Sequence, residues 1–97
     1  MDVGAAADLA GTPVREVVVE GTKIALTWHD GRFGAISGVC NHAGGPLGQG
    51  RLDGDYVACP WHGWQYDVRT GENEFDRAIR LENYEVVVEG GEVKVVL

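Results

Sequence analysis

From residue 14 onward, apolar and polar residues alternate in short bursts separated by glycine-bearing breaks. The segment "VREVVVE" (14–20) and the segment "KIALTW" (23–28) are rich in β-branched and aromatic side chains and flank the short "GT" turn, so together they predict a β-hairpin. Asp30-Gly31 is a two-residue turn signal and leads into a third strand, "FGAISGV" (33–39). A Gly-rich loop at 41–50 follows. The next segment, "RLDGDYVAC" (51–59), has a second Asp-Gly turn at Asp53-Gly54 that feeds a short strand. The alternating "WQYDV" (64–68) reads as a strand ended by "RTGE". Three more strands are expected near 78–82, 84–89 and 92–96, the last two joined at Gly90-Gly91. Only "AAADLAG" (5–11) suggests helix, and it is too short for more than about a turn. The expected fold is all-β and antiparallel, with a middle section of roughly 40–70 inserted as a small subdomain. The pattern does not specify the strand order.

Composition narrows this picture. The 97 residues make one domain, and at that length folding buries only about 60–65% of the unfolded surface, so a metal centre or cross-link would help. Fifteen glycines against three prolines suit tight turns and close backbone approaches, and no repeat, low-complexity tract or linker interrupts the chain. A net charge of −7 repels phosphate backbones and anionic membranes, which argues against nucleic acid, and it would steer the chain towards a partner with a basic face. No apolar run approaches the ~20 residues that span a bilayer, and the N-terminus lacks the basic start and apolar core of a signal peptide. A soluble cytoplasmic protein is expected.

The candidate chemistry lies in two cysteines and two of the three histidines. Cys40 and His42 form C-x-H, and Cys59 and His62 form C-x-x-H, with residues 43–58 between the pairs. In a reducing compartment such a set binds metal or does redox work more often than it forms a disulfide. Zinc fingers take both sulfurs from one knuckle and both imidazoles from another, whereas here each loop offers one of each. That mixing suits a two-iron, two-sulfide cluster in which one iron takes the sulfurs and the other the nitrogens. His29 sits beside the Asp30-Gly31 turn with no ligand-spaced neighbour and reads as an exposed hairpin residue. Glu82, Glu85, Glu89 and Glu92 read as solvated strand or turn positions.

The stretch "CNHAGGPLGQGRLDGDYVACPWHGWQYDVRTG" (40–71) resembles the Rieske family, more weakly extended over the hairpins on either side. The resemblance implies a Rieske-like antiparallel sandwich or partial barrel over residues 1–97, and one 2Fe-2S cluster. It also implies that Cys40 and Cys59 bind the inner iron while His42 and His62 bind the outer one. Pro60 fixes its own φ and biases Cys59 towards an extended conformation, while Trp61 and Trp64 are either water-excluding shields or plain core residues. Gly63 is expected to let the backbone pass close to the centre, and the amides of Gly44 and Gly45 to point at sulfur.

Respiratory members carry two further cysteines joined as a disulfide. Here the matching positions are Gly45 and Trp61, so that cross-link is absent. Trp64 stands where those members have a sulfide-bonding serine, and Tyr66 matches their sulfur-bonding tyrosine. Fewer donors imply a potential in the low part of the family's range of about −150 to +300 mV. The segment "GENEFDRAIR" (71–80) has no proline where many relatives have a proline-bearing third loop, and Phe75 is the candidate to cover that flank.

The resemblance implies a ferredoxin-like carrier and not a complete catalyst. It would pass one electron from a flavoprotein reductase to a terminal oxidoreductase such as an aromatic-ring oxygenase. Two other readings stay open at this point: an electron-transfer module of a flavin-dependent NAD(P)H oxidoreductase, and a zinc-stabilised interaction domain.

Overall fold

The computed structural model describes residues 2–40, 44–61 and 63–97. Among the described residues nine strands run in chain order: β1 (Asp2–Ala5), β2 (Val14–Val19), β3 (Thr22–His29), β4 (Arg32–Ser37), β5 (Arg51–Asp53), β6 (Tyr56–Ala58), β7 (Gln65–Asp67), β8 (Asn83–Glu89) and β9 (Glu92–Val96). One helical turn, α1 (Ala6–Leu9), follows β1, and a 3₁₀ turn covers Leu47–Gln49. Among the described residues no helix is long and apolar enough to cross a membrane.

Every pairing between strands is antiparallel. A six-stranded sheet has the order β1-β9-β8-β4-β3-β2, and a separate three-stranded sheet has the order β5-β6-β7. Side chains from both ends of the larger sheet share one core. Val19 of β2, Ile24 and Leu26 of β3, Ala35 of β4, and Val93 and Val95 of β9 are buried together, with Val3 of β1 packed against them. A sheet whose first and last strands meet in one core must curl on itself, which makes this base a nearly closed barrel.

The hairpins are fixed by local chemistry. Asp30 and Gly31 take φ values of 54° and 76°, and Gly90 and Gly91 take 57° and 80°, the left-handed pairs that a twisted two-residue hairpin requires. Two turns sit one residue away from the positions expected. The first hairpin turns at Glu20-Gly21, because Val19 pairs with Thr22. The small sheet turns at Gly54-Asp55, because Asp53 pairs with Tyr56. Across the β3–β4 hairpin Trp28 and Phe33 face each other at 4.7 Å, a tilted cross-strand aromatic pair.

β3 and β4 form a wall shared by two cores. Ile24, Leu26 and Ala35 face the barrel core, while Ala25 and Ile36 point the other way, into a second core. That second core collects Cys40, Leu47, Val57, Cys59, Tyr66, Val68 and Leu81. Alternation along the strands therefore buries both faces: Ile24 through Thr27 are all buried. Gly34 makes the join possible, since a Cβ there would lie 2.8 Å from both the Val68 carbonyl oxygen and Thr27 Oγ1.

The strand expected at 78–82 does not form. Leu81 is buried, but its amide donates to the Gly71 carbonyl at 2.9 Å, and the segment carries an isolated Glu72–Arg80 bridge in place of a strand. In the other direction, β1 was not expected, and its pairing with β9 supplies what an unassisted four-residue strand lacks.

Candidate metal centre

Two loops rise from the second core, and their backbones repeat one hydrogen-bond pattern. In the first, the Cys40 amide donates to the Gly45 carbonyl at 2.9 Å, and the Gly44 amide donates back to the Cys40 carbonyl at 2.8 Å. In the second, the Cys59 amide donates to the Trp64 carbonyl at 2.8 Å, and the Gly63 amide donates to the Cys59 carbonyl at 3.2 Å. Each loop is closed by a β-bridge from the residue before the cysteine to the residue six after it: Val39 to Pro46, and Ala58 to Gln65. Gly44 and Gly63 occupy equivalent places, with φ of 73° and 75°. The two cysteines are thus presented by matched turns.

This geometry reassigns the glycines. Gly63 is needed for its left-handed φ and not for closeness, since a Cβ on it would meet nothing within 4 Å. The Gly44 amide is spent on a carbonyl and does not point at sulfur. Gly45 is the close approach: a Cβ there would sit 2.7 Å from Cys59 Sγ.

Both sulfurs are buried and form no disulfide. Tyr66, fully buried, holds its hydroxyl 3.3 Å from Cys40 Sγ, and against a thiolate the phenol is the donor. The Trp61 amide donates to Cys59 Sγ at 3.4 Å. Burial pushes the Cys59 thiol up; the Trp61 amide opposes this, and Cys40 beside it adds to the rise. Burial also raises the Tyr66 hydroxyl, followed by the effects of Cys40 and then Cys59, while the Asn73 side chain works against them. Asn73 is the β-bridge partner of Tyr66, which brings its side chain beside the phenol.

The aromatic residues divide. Trp64 is half-buried against the second core and meets Phe75 edge to face, with ring centroids 4.9 Å apart. Phe75 is 61% exposed and packs on the Trp64 ring. The third loop is shaped without proline: Asn73 Oδ1 accepts the amides of Phe75 at 3.0 Å and Asp76 at 3.2 Å. Nothing in the sequence pattern singled out Asn73, although an Asn two residues before a turn is the available signal. Trp61 is 49% exposed and is not a core residue.

His29 is not the bare hairpin residue expected, since its Nε2 lies 2.6 Å from Asp55 Oδ1 and so ties the β3–β4 hairpin to the small sheet. Of the glutamates, Glu82, Glu85 and Glu89 are exposed as expected, and Glu89 pairs with Lys94 at 3.3 Å.

The expected ligands His42 and His62 lie outside the described residues. Among the described residues no three of His, Cys, Asp and Glu gather as a metal site. The two sulfurs nevertheless fit an iron–sulfur cluster on their own chemistry. They are sequestered within reach of one another, where two unscreened thiolates would repel, and each receives a donor that stabilises negative charge. A positively charged metal between them removes that repulsion and holds both sulfurs as thiolates.

Comparison with known proteins agrees. Residues 1–85 match the model of the Rieske 2Fe-2S domain. The ferredoxin component of the alkene monooxygenase system of Xanthobacter autotrophicus is 33% identical over 72 residues, which is 73% of this chain and 59% of that protein. The chain thus spans less than two thirds of that curated relative. A chain from a complex of reduced oxygenase and oxidized ferredoxin in carbazole 1,9a-dioxygenase superimposes with a TM-score of 0.88 at 34% identity, covering 99% of this chain and 100% of that one. The ferredoxin of carbazole 1,9a-dioxygenase from Nocardioides aromaticivorans gives 0.89 at 28% identity, over 98% and 94%. With its matched cysteine loops and a family match over most of its length, the chain belongs to the Rieske 2Fe-2S family, and one Rieske-type cluster is its cofactor.

Proposed function

We propose that this chain is a Rieske-type ferredoxin, a one-electron carrier that takes its electron from a flavoprotein reductase and delivers it to a terminal oxidoreductase such as an aromatic-ring oxygenase. In this reading Cys40 and Cys59 hold one iron, His42 and His62 hold the other, and residues 1–97 act as a single domain with its cluster-binding part at about 40–70. It works in the cytoplasm, without nucleic acid or membrane as partner. The observation that carries the reading is the overlay of 98% of this chain on 94% of a ring-dioxygenase ferredoxin, which leaves little of either chain unmatched.

The bound cluster supplies a one-electron couple. The chain's own residues set its surroundings. Leu47, Val57 and Tyr66, all fully buried, keep water from the sulfur side. The Tyr66 hydroxyl and the Trp61 amide hold negative charge on Cys40 and Cys59. Both cysteines are packed in the core that Ala25 and Ile36 of the β3–β4 wall share, a setting that favours small reorganisation when the charge changes.

The test is a reconstituted chain of electron transfer. Holo-protein mixed with NADH and a ring-dioxygenase flavoprotein reductase should lose visible absorbance, then regain it as the terminal oxygenase and its aromatic substrate are added and product forms. Turnover that proceeds equally fast without this chain would end the carrier reading. Isolation in fixed stoichiometry with a flavin-bearing catalytic subunit would make it a subunit of that enzyme instead.

A further inference from the structure

Among the described residues the backbone hydrogen bonds that shape each cysteine loop run within that loop, and side-chain contacts reach across from one loop to the other. The tightest such place is Gly45. A Cβ built on it would lie 2.7 Å from Cys59 Sγ, 3.0 Å from Trp61 Cγ and 3.1 Å from Trp61 Cβ. Unlike Gly44 and Gly63, Gly45 does not take a left-handed φ, so the requirement for glycine here is one of space. The root of the Trp61 side chain and the Cys59 sulfur press against the same face of the first loop.

Trp61 is also the residue whose amide donates to Cys59 Sγ. Its side chain is 49% exposed, so it adds less to the cores than its size would suggest. A large aromatic side chain left half in water, yet seated on the backbone of the opposite loop, is placed to hold that loop down.

We propose that Trp61 is a positioning residue, a non-covalent clamp that reaches from the second cysteine loop onto Gly45 of the first and keeps the two sulfurs closed around the cluster. The inference rests on ligation by Cys59 and not on the identity of any electron partner. Removing the ring opens the Gly45 edge to water and frees the Trp61 amide to drift from the sulfur. Adding a Cβ at position 45 forces the same opening from the other side, with the ring still present.

The experiment follows first-order loss of visible absorbance of the holo-protein in air with an iron chelator, together with the EPR spectrum of the dithionite-reduced form. Trp61→Ala should lose its cluster about tenfold faster than the parent, matching the lower end of the loss in metal affinity that follows removal of a residue supporting metal ligands. Its EPR lines should broaden or shift. Trp61→Phe should restore both readouts, and Gly45→Ala should behave like Trp61→Ala. Far-UV thermal melts of the variants should stay close to the parent, which separates clamping from folding. Should Trp61→Ala fail to fold, Trp61→Leu makes the same test with an apolar side chain that lacks the planar ring. Cluster loss at the parental rate with a superimposable spectrum, in Trp61→Ala or Trp61→Leu, overturns the clamp. Cys59→Ser tests the ligation separately: a Cys59→Ser protein that retains a normal cluster refutes ligation at that position and the clamp with it. Electron delivery to an oxygenase is unaffected by either result and is judged on the parent protein.

Discussion

At the scale of single residues, the sulfurs and the groups that donate to them govern the chemistry. The Tyr66 hydroxyl at 3.3 Å from Cys40 Sγ stabilises the more negative, reduced state. Tyr66→Phe should therefore keep the cluster and lower its midpoint potential. A net hydrogen bond of about 1 kcal/mol corresponds to on the order of 40 mV for one electron, and protein-film voltammetry would read it. An unchanged potential would remove Tyr66 from this role. Neighbouring glycines should part company for a physical reason. At Gly44, with φ of 73° and open space around it, Gly44→Ala costs only backbone strain of about 1–2 kcal/mol and should retain iron. At Gly45 the same change drives a methyl group towards Cys59 Sγ, and iron content should fall. Tyr66 was legible in the sequence because its place is fixed by a position in a known motif. The different needs of Gly44 and Gly45 were not, because one is a backbone angle and the other depends on a loop fourteen or more residues away.

At the scale of elements, the β3–β4 wall decides how firmly the cluster-bearing half sits on the base. Gly34→Ala should wedge β4 away from Val68 and destabilise the protein by about 1–3 kcal/mol, read in a denaturant titration followed by far-UV circular dichroism. Asn73→Ala should release the third loop by removing the acceptor of the Phe75 and Asp76 amides. The loss, about 1–3 kcal/mol, should come with a red shift of tryptophan emission as Phe75 leaves Trp64. Hairpins such as Asp30-Gly31 could be read directly, since the turn chemistry is contained in two residues. The segment 78–82 misled because its alternating Ile79 and Leu81 do pack on the second core, Leu81 buried and Ile79 partly so, but the Leu81 amide is taken by Gly71 in a loop and not by a strand. β1 escaped notice because its order comes from β9, at the other end of the chain. The His29–Asp55 tie between the halves was equally invisible, since neither residue carries a local signal for the other.

At the scale of the molecule, a net charge of −7 in 97 residues sets the approach of partners. Encounter with a reductase whose docking face is basic should be accelerated, so the second-order rate of cluster reduction should fall steadily as salt rises from about 50 to 500 mM. A rate independent of salt would mean that charge plays no part in docking. Family, fold class and cofactor were readable in the C-x-H and C-x-x-H pairs, because a mixed thiolate–imidazole set at that spacing serves few other purposes. The order of strands in the base was not, since six strands of similar composition can pair in many ways.

The claim beneath the whole account is that sulfur from both loops holds one iron and nitrogen the other. Anaerobically purified protein, analysed for iron and acid-labile sulfide and then reduced with dithionite for pulsed EPR, tests it most directly. The account predicts two irons and two sulfides per chain, with the unpaired electron coupled to two imidazole nitrogens. A single metal ion without sulfide, or a reduced cluster with no nitrogen coupling, would contradict it.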